Sequence, residues 1–238
     1  MTHMRFASVR RFLRREDGTT MVEFAICISL FLLLLFAVLD FARLGYTWVS
    51  AEKAMQIGAR TAAVRYPVCT GVPIVHFREV GTPADYPPGT LCREDGGICV
   101  QTTPDPRCLL SESLTLAGSS NEEEQKRFEA GSQIWARMNA LLPDNVGPEN
   151  VRITYAYDKN LGFVGGPYIP LITAELVDSG SDSCNGNPCF TFVTPLSALA
   201  ANAGSTLPDD MPNKGGTIPF PGIAATVPAE DLNRGMDG

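Results

Sequence analysis

Residues Arg10–Tyr66 read RRFLRREDGTTMVEFAICISLFLLLLFAVLDFARLGYTWVSAEKAMQIGARTAAVRY. The stretch begins with a basic leader and a glycine, then turns apolar, and its helical pattern continues beyond the apolar run. Phe24 to Leu39 contains no charge, no Gly and no Pro. A helix rises about 1.5 Å per residue and a bilayer core takes roughly 20 apolar residues. A soluble domain rarely spends LFLLLLF on a core helix. We therefore expect a membrane span over about 21–40, inside one helix running from 19 to 65.

The flanks orient this span. Arg5, Arg10, Arg11, Arg14 and Arg15 precede it, offset only by Glu16 and Asp17. The residues just after it (Asp40, Arg43, Glu52, Lys53) are mixed in sign. Basic residues close to a span favour the cytoplasmic side. The expectation is a single-pass protein of the cytoplasmic membrane, with a cytoplasmic N-terminus and an exported remainder. A cleaved secretory signal would end in a small-x-small site; here the core runs into AVLDFARLGY instead. Glu23 lies just inside the apolar run, where an acid is costly and points to function. The plainer reading puts it at headgroup level, opening the helix next to the positive end of the dipole.

These residues resemble a family. The basic leader, Gly18-Thr19-Thr20-Met21-Val22-Glu23-Phe24-Ala25 and the Leu-rich run look like the start of TadE-like pseudopilins, minor pilins of the tight adherence (Tad, type IVc, Flp) pilus. Asp40–Tyr46 (DFARLGY) and Gly58–Ala63 (GARTAA) carry the resemblance further. It implies that a prepilin peptidase cuts between Gly18 and Thr19 on the cytoplasmic face, leaving Glu23 as the fifth mature residue. It also implies that Glu23 pairs with the freed α-amino group of a neighbouring subunit. The implied partners are other pilins and pseudopilins, the Tad assembly platform, the peptidase and membrane lipid. The implied role is pilus assembly or initiation and cell adhesion. The resemblance covers roughly Arg15 to Val64 and is weak elsewhere.

The chain has 238 residues and a net charge of −7. That length allows one ordinary domain beyond an anchor. The leader contributes five Arg against two acids, so everything after Gly18 is strongly acidic. A nucleic-acid binder would present a basic face, so nucleic acid is not an expected partner.

We divide the chain as follows. Residues 1–18 are the leader and 19–65 the long helix. Residues 66–118 are a Cys/Pro/Gly-rich ordered loop, with a short strand at His76–Val80. Residues 119–230 hold a second helix and antiparallel strands, and 231–238 a frayed tail. Along the outer part of the long helix, Phe41, Leu44, Trp48, Met55 and Ala62 form an apolar stripe, with Ala51, Gly58 and Ala59 filling in. Small residues there allow close approach, to its own domain or to other subunits' helices. Tyr66-Pro67 ends the helix. Ser120-Asn121-Glu122-Glu123 reads as a capping box with Ser120 at the cap. Phe128, Trp135, Met138 and Leu142 follow on one face, up to Pro143. Strands are expected at Val151–Tyr157, Tyr168–Val177 and Phe190–Thr194, with a Pro-limited edge strand at Thr217–Val227. A short helix is possible by pattern at Leu196–Ala203.

Seven cysteines are present. Cys27 falls in the span, leaving Cys69, Cys92, Cys99, Cys108, Cys184 and Cys189. Six in an exported region point to three disulfides, for which sequence alone allows 15 connectivities. Short closures favour Cys92–Cys99 and Cys184–Cys189, which leaves Cys69–Cys108. Zinc is the alternative, but Cys184-x₄-Cys189 is the one close-spaced pair, with no second such pair to complete a site, and His76 is the only nearby His. Asp178-Ser-Gly-Ser-Asp182 with Asn185 and Asn187 is oxygen-rich, but lacks the EF-hand order of calcium ligands. No cofactor or metal is expected. Of the two histidines, His3 lies in the leader and His76 alone in the exported part. Nucleophile, zinc-protease and phosphate-loop motifs are missing from the sequence, so catalysis is not expected. The expected fold class is α+β: a long helix, a second helix on a small antiparallel sheet, and disulfide-tied loops. The other reading is an uncleaved, single-span anchored periplasmic or surface binding protein.

Overall fold

The computed structural model describes residues 19–80, 86–177, 191–193, 217–219, 222–229 and 232. The leader with Gly18, the oxygen-rich loop with Cys184 and Cys189, the 196–203 segment and the tail from 233 lie outside them.

Helix α1 spans Thr19–Ala63, 45 residues. At about 1.5 Å each it is roughly 68 Å long. Its two halves live in different surroundings. From Thr20 to Phe36 every residue is exposed. Beyond that, Ala51, Ala54, Met55, Ala59 and Ala62 are completely buried. The apolar run is therefore bare, and the small-residue stripe is the face that packs on the head. Here the sequence reading needs correcting. Phe41 is 77% exposed and Trp48 40% exposed, so neither belongs to the core. Alanines and Gly58 are preferred at the contact because they let neighbouring elements approach closely.

After Pro67 the chain enters the Cys-rich region, which holds more regular structure than a loop. Strand β1 (Arg107–Leu109) leads directly into the short helix α2 (Leu110–Leu114). His76–Val80, by contrast, forms no strand. Isolated bridges pair Val75 with Pro167 and Arg78 with Cys99.

Helix α3 covers Glu122–Met138. Its N-cap is Asn121, not Ser120: the Asn121 side chain accepts from the Glu123 amide at 2.9 Å. Either residue type can cap a helix, and the chain takes the later one. The helix stops at Met138 and a 3₁₀ turn at Asn139–Leu141 carries it toward Pro143. Its buried face is Ala130, Gly131, Ile134 and Met138, while Phe128 and Trp135 are only partly covered.

The main sheet is antiparallel, in the order β1-β2-β3-β6, with β2 Val151–Ala156, β3 Leu171–Leu176 and β6 Ala224–Pro228. A separate two-stranded ribbon pairs β4 (Thr191–Val193) with β5 (Thr217–Pro219). Thus the expected fourth strand is split in two, and its Pro-ending part, β6, lies at the sheet edge. In β2 and β3 alternate residues are buried. The register sets Val151, Ile153 and Tyr155 opposite Leu176, Ala174 and Ile172, so both inward rows meet on one face. On the other face Arg152 Nε donates to Glu175 Oε1 at 2.7 Å. The inward face, α1 and α3 form one core.

Cys69 bonds to Cys108 and Cys92 to Cys99. The first bond ties the exit of α1 to the edge strand β1. Beside it the Val68 amide donates to the Tyr155 hydroxyl at 3.1 Å. The second bond belongs to a small lobe with its own core of Cys92, Ile98, Cys99 and Val164.

Candidate functional site: the bare helix and the disulfide lobe

Two places concentrate features that the fold alone does not require. The first is the N-terminal half of α1. Thr19 begins the helix and Glu23 lies one turn in, exposed. Around it Met21, Phe24, Phe31 and Leu34 are 76%, 67%, 59% and 64% exposed. None of the most apolar window is covered by the rest of the molecule. An apolar surface of this extent needs a lipid or protein surrounding. Among the described residues this is one helix long and apolar enough to cross a membrane. Cys27 is a free thiol on the same surface.

The second place is the lobe around His76. The imidazole is 1% exposed. Its Nε2 accepts from the Ile169 amide at 3.1 Å, and Nδ1 is buried with no hydrogen-bond partner. The ring lies against Tyr168 and Tyr157, with centroids 4.9 Å and 6.2 Å away. A Cβ at Gly162 would come within 2.2 Å of Nε2, and Gly162 also has φ +80°. Only glycine satisfies both demands. Burial pushes the His76 pKa below its ordinary value. Burial, followed by the charges of Asp158 and Glu79, pushes the Tyr157 phenol up. Tyr168 is also raised, mainly by burial, against the opposing hydrogen bond to Thr102. The side-chain ligand atoms of His76, Cys92 and Cys99 lie within 4.8 Å of one another. The two sulfurs are joined to each other, so neither is a thiolate that could bind a metal.

Sequence reasoning named the cysteines and Glu23, but treated His76 as an ordinary loop or strand residue. The nearby Gly162-Phe-Val-Gly165-Gly166 run was the available signal, because clustered glycines mark close backbone approach.

The arrangement defines a class: a protein with a bare apolar helical stem, long and apolar enough to cross a membrane, and a disulfide-bonded α+β head. The sequence model of the family described as TadE-like protein matches residues 18–60. The similarity is confined to that N-terminal segment, most of α1, and does not reach the head. No curated protein and no solved structure matches it.

Proposed function

We propose that this chain is a structural minor pilin or pseudopilin that acts in assembly or initiation of a Tad pilus. A prepilin peptidase removes residues 1–18 by cutting between Gly18 and Thr19 at the cytoplasmic face. The head then stands on the far side of the membrane. One coincidence carries this reading: the TadE-like segment, 18–60, starts at that glycine and contains the whole bare half of α1. A stem kept free of its own head is available to other helices. Glu23 of one mature subunit meets the new α-amino group of a neighbour's Thr19, because two paired charges in a membrane cost less than two unpaired ones. Other pilins and the assembly platform are the partners of this face, and lipid surrounds it before assembly.

The test is intact-mass measurement and N-terminal sequencing of the membrane-extracted chain, combined with protease protection. A chain starting at Thr19 with a protease-accessible head outside the cytoplasm is the expected result. A start at Met1 would make it a permanently anchored single-span protein. A cytosolic head would overturn the proposal altogether.

A further inference from the structure

We propose that His76 is a pH-operated latch in the disulfide lobe: protonating its imidazole releases the 162–169 loop from the segments at Ile74–His76 and Gly89–Cys92.

His76 stands at the centre of the bonds that hold the 162–169 loop in the lobe. Its backbone amide donates to Gly166 O at 2.9 Å, and the Gly165 amide donates to its carbonyl at 2.8 Å. Its side chain takes the Ile169 amide. Flanking bonds run from Val164 N to Thr90 O (2.8 Å), from Cys92 N to Gly162 O (3.2 Å) and from Tyr168 N to Ile74 O (3.1 Å). The ring fills the space that Gly162 leaves open.

The side-chain bond requires Nε2 to be unprotonated, since a backbone amide can only donate. A second ring proton would set N–H against N–H at this contact. It would also place a full charge in a buried site, which is costly without a partner. The groups facing the imidazole do not supply one. Tyr168 and Tyr157 are neutral phenols with raised pKa, and the Cys92–Cys99 disulfide does not titrate. The nearby acids act on those phenols, Asp158 and Glu79 on Tyr157 and Asp105 on Tyr168. Among the described residues no acid hydrogen-bonds the ring. The Asp105 carboxylate is taken up by the Tyr157 amide. Opening the lobe hydrates the imidazolium and uncovers the apolar side chains of Ile98 and Val164, whose rim already exposes Leu91 and Phe163.

The sign follows from linkage. The folded lobe lowers the imidazole pKa below 6.5, so between that lowered value and 6.5 the open lobe binds more protons than the closed one. The contribution to closure is complete above 6.5 and is lost as pH falls through this window. At still lower pH it declines no further.

Hydrogen–deuterium exchange on the full-length chain in detergent micelles tests the latch. Protection is compared at about pH 7.5 and about pH 5, either side of the ordinary imidazole range. After correction for intrinsic rates, amides of the 162–169 loop and Cys92 should lose protection about tenfold or more on acidification. Amides of β2 and β3 should hold theirs. His76→Gln offers a side-chain acceptor that does not titrate, and its loop protection should be the same at both values. Where His76→Gln does not fold, isotope-labelled histidine NMR provides the second reading. His76 should titrate below the ordinary imidazole value of 6.5, in step with the loop signals. Loop protection in the wild type that is unchanged between the two values, or His76 titrating as an ordinary imidazole without loop opening, would overturn the latch.

Discussion

Gly58 and Met138 meet where a side chain is missing. A Cβ at position 58 would fall 2.4 Å from the Met138 sulfur. Helices α1 and α3 are therefore in contact at a place where α1 offers only backbone. Forcing bulk into a packed core costs about 1–3 kcal/mol. Gly58→Val should destabilise the head by about that much, read as a lower melting temperature in detergent. Met138→Ala alone leaves a cavity and should cost about 2–5 kcal/mol. The double variant should cost less than the two single costs added, because each change relieves the other.

The cap of α3 gives a paired prediction. Asn121→Ala removes the bond to the Glu123 amide and should cost about 1 kcal/mol. Ser120→Ala touches no bond of the helix and should fall within about 0.5 kcal/mol of wild type. Thermal denaturation of the two variants separates the positions. Equal losses would return the cap to Ser120.

The two disulfides should differ in worth. Cys69–Cys108 closes a separation of 39 residues and Cys92–Cys99 one of 7. Chain-entropy reasoning gives about 4 kcal/mol for the longer closure and about 2 kcal/mol for the shorter. Serine substitution of the first pair should therefore lower the melting temperature more, measured on purified head-intact protein.

Arg152 and Glu175 face each other in register across β2 and β3, with side chains 13% and 29% exposed. A double-mutant cycle to alanine should yield a coupling of about 0.5–1 kcal/mol. A coupling of zero would mean that the pair is decorative.

Glu23 is the residue on which the assembly proposal is most exposed. Glu23→Ala should leave cutting at Gly18 intact and remove the chain from sheared pilus fractions or from the assembly complex. Glu23→Asp, which keeps the charge on a shorter arm, should be intermediate. Quantitative immunoblotting of membrane and filament fractions reads both; a normal distribution of Glu23→Ala would end that role.

The long helix was legible because its signal is local. Sixteen residues in a row without a charge, Phe24 to Leu39, mark a candidate span whatever follows. The strands at 151–156 and 171–176 were legible for a related reason, since alternation along a strand records which side is covered. The cap at Asn121 was not, because Ser120 and Asn121 are both capable and only the path of the preceding turn chooses between them. The stripe of α1 was read from its large residues, Phe41 and Trp48, whereas the head selected the small ones.

By itself, then, the sequence determined the stem: its length, its apolar face, the acid near its N-terminal end and the family it resembles. All of these are written in neighbouring residues. Tertiary structure decided what touches across distance: Gly58 on Met138, the Val68 amide on the Tyr155 hydroxyl, and His76 sealed beneath Gly162. Such choices depend on how separate segments fill one space, and no window of adjacent residues contains that information.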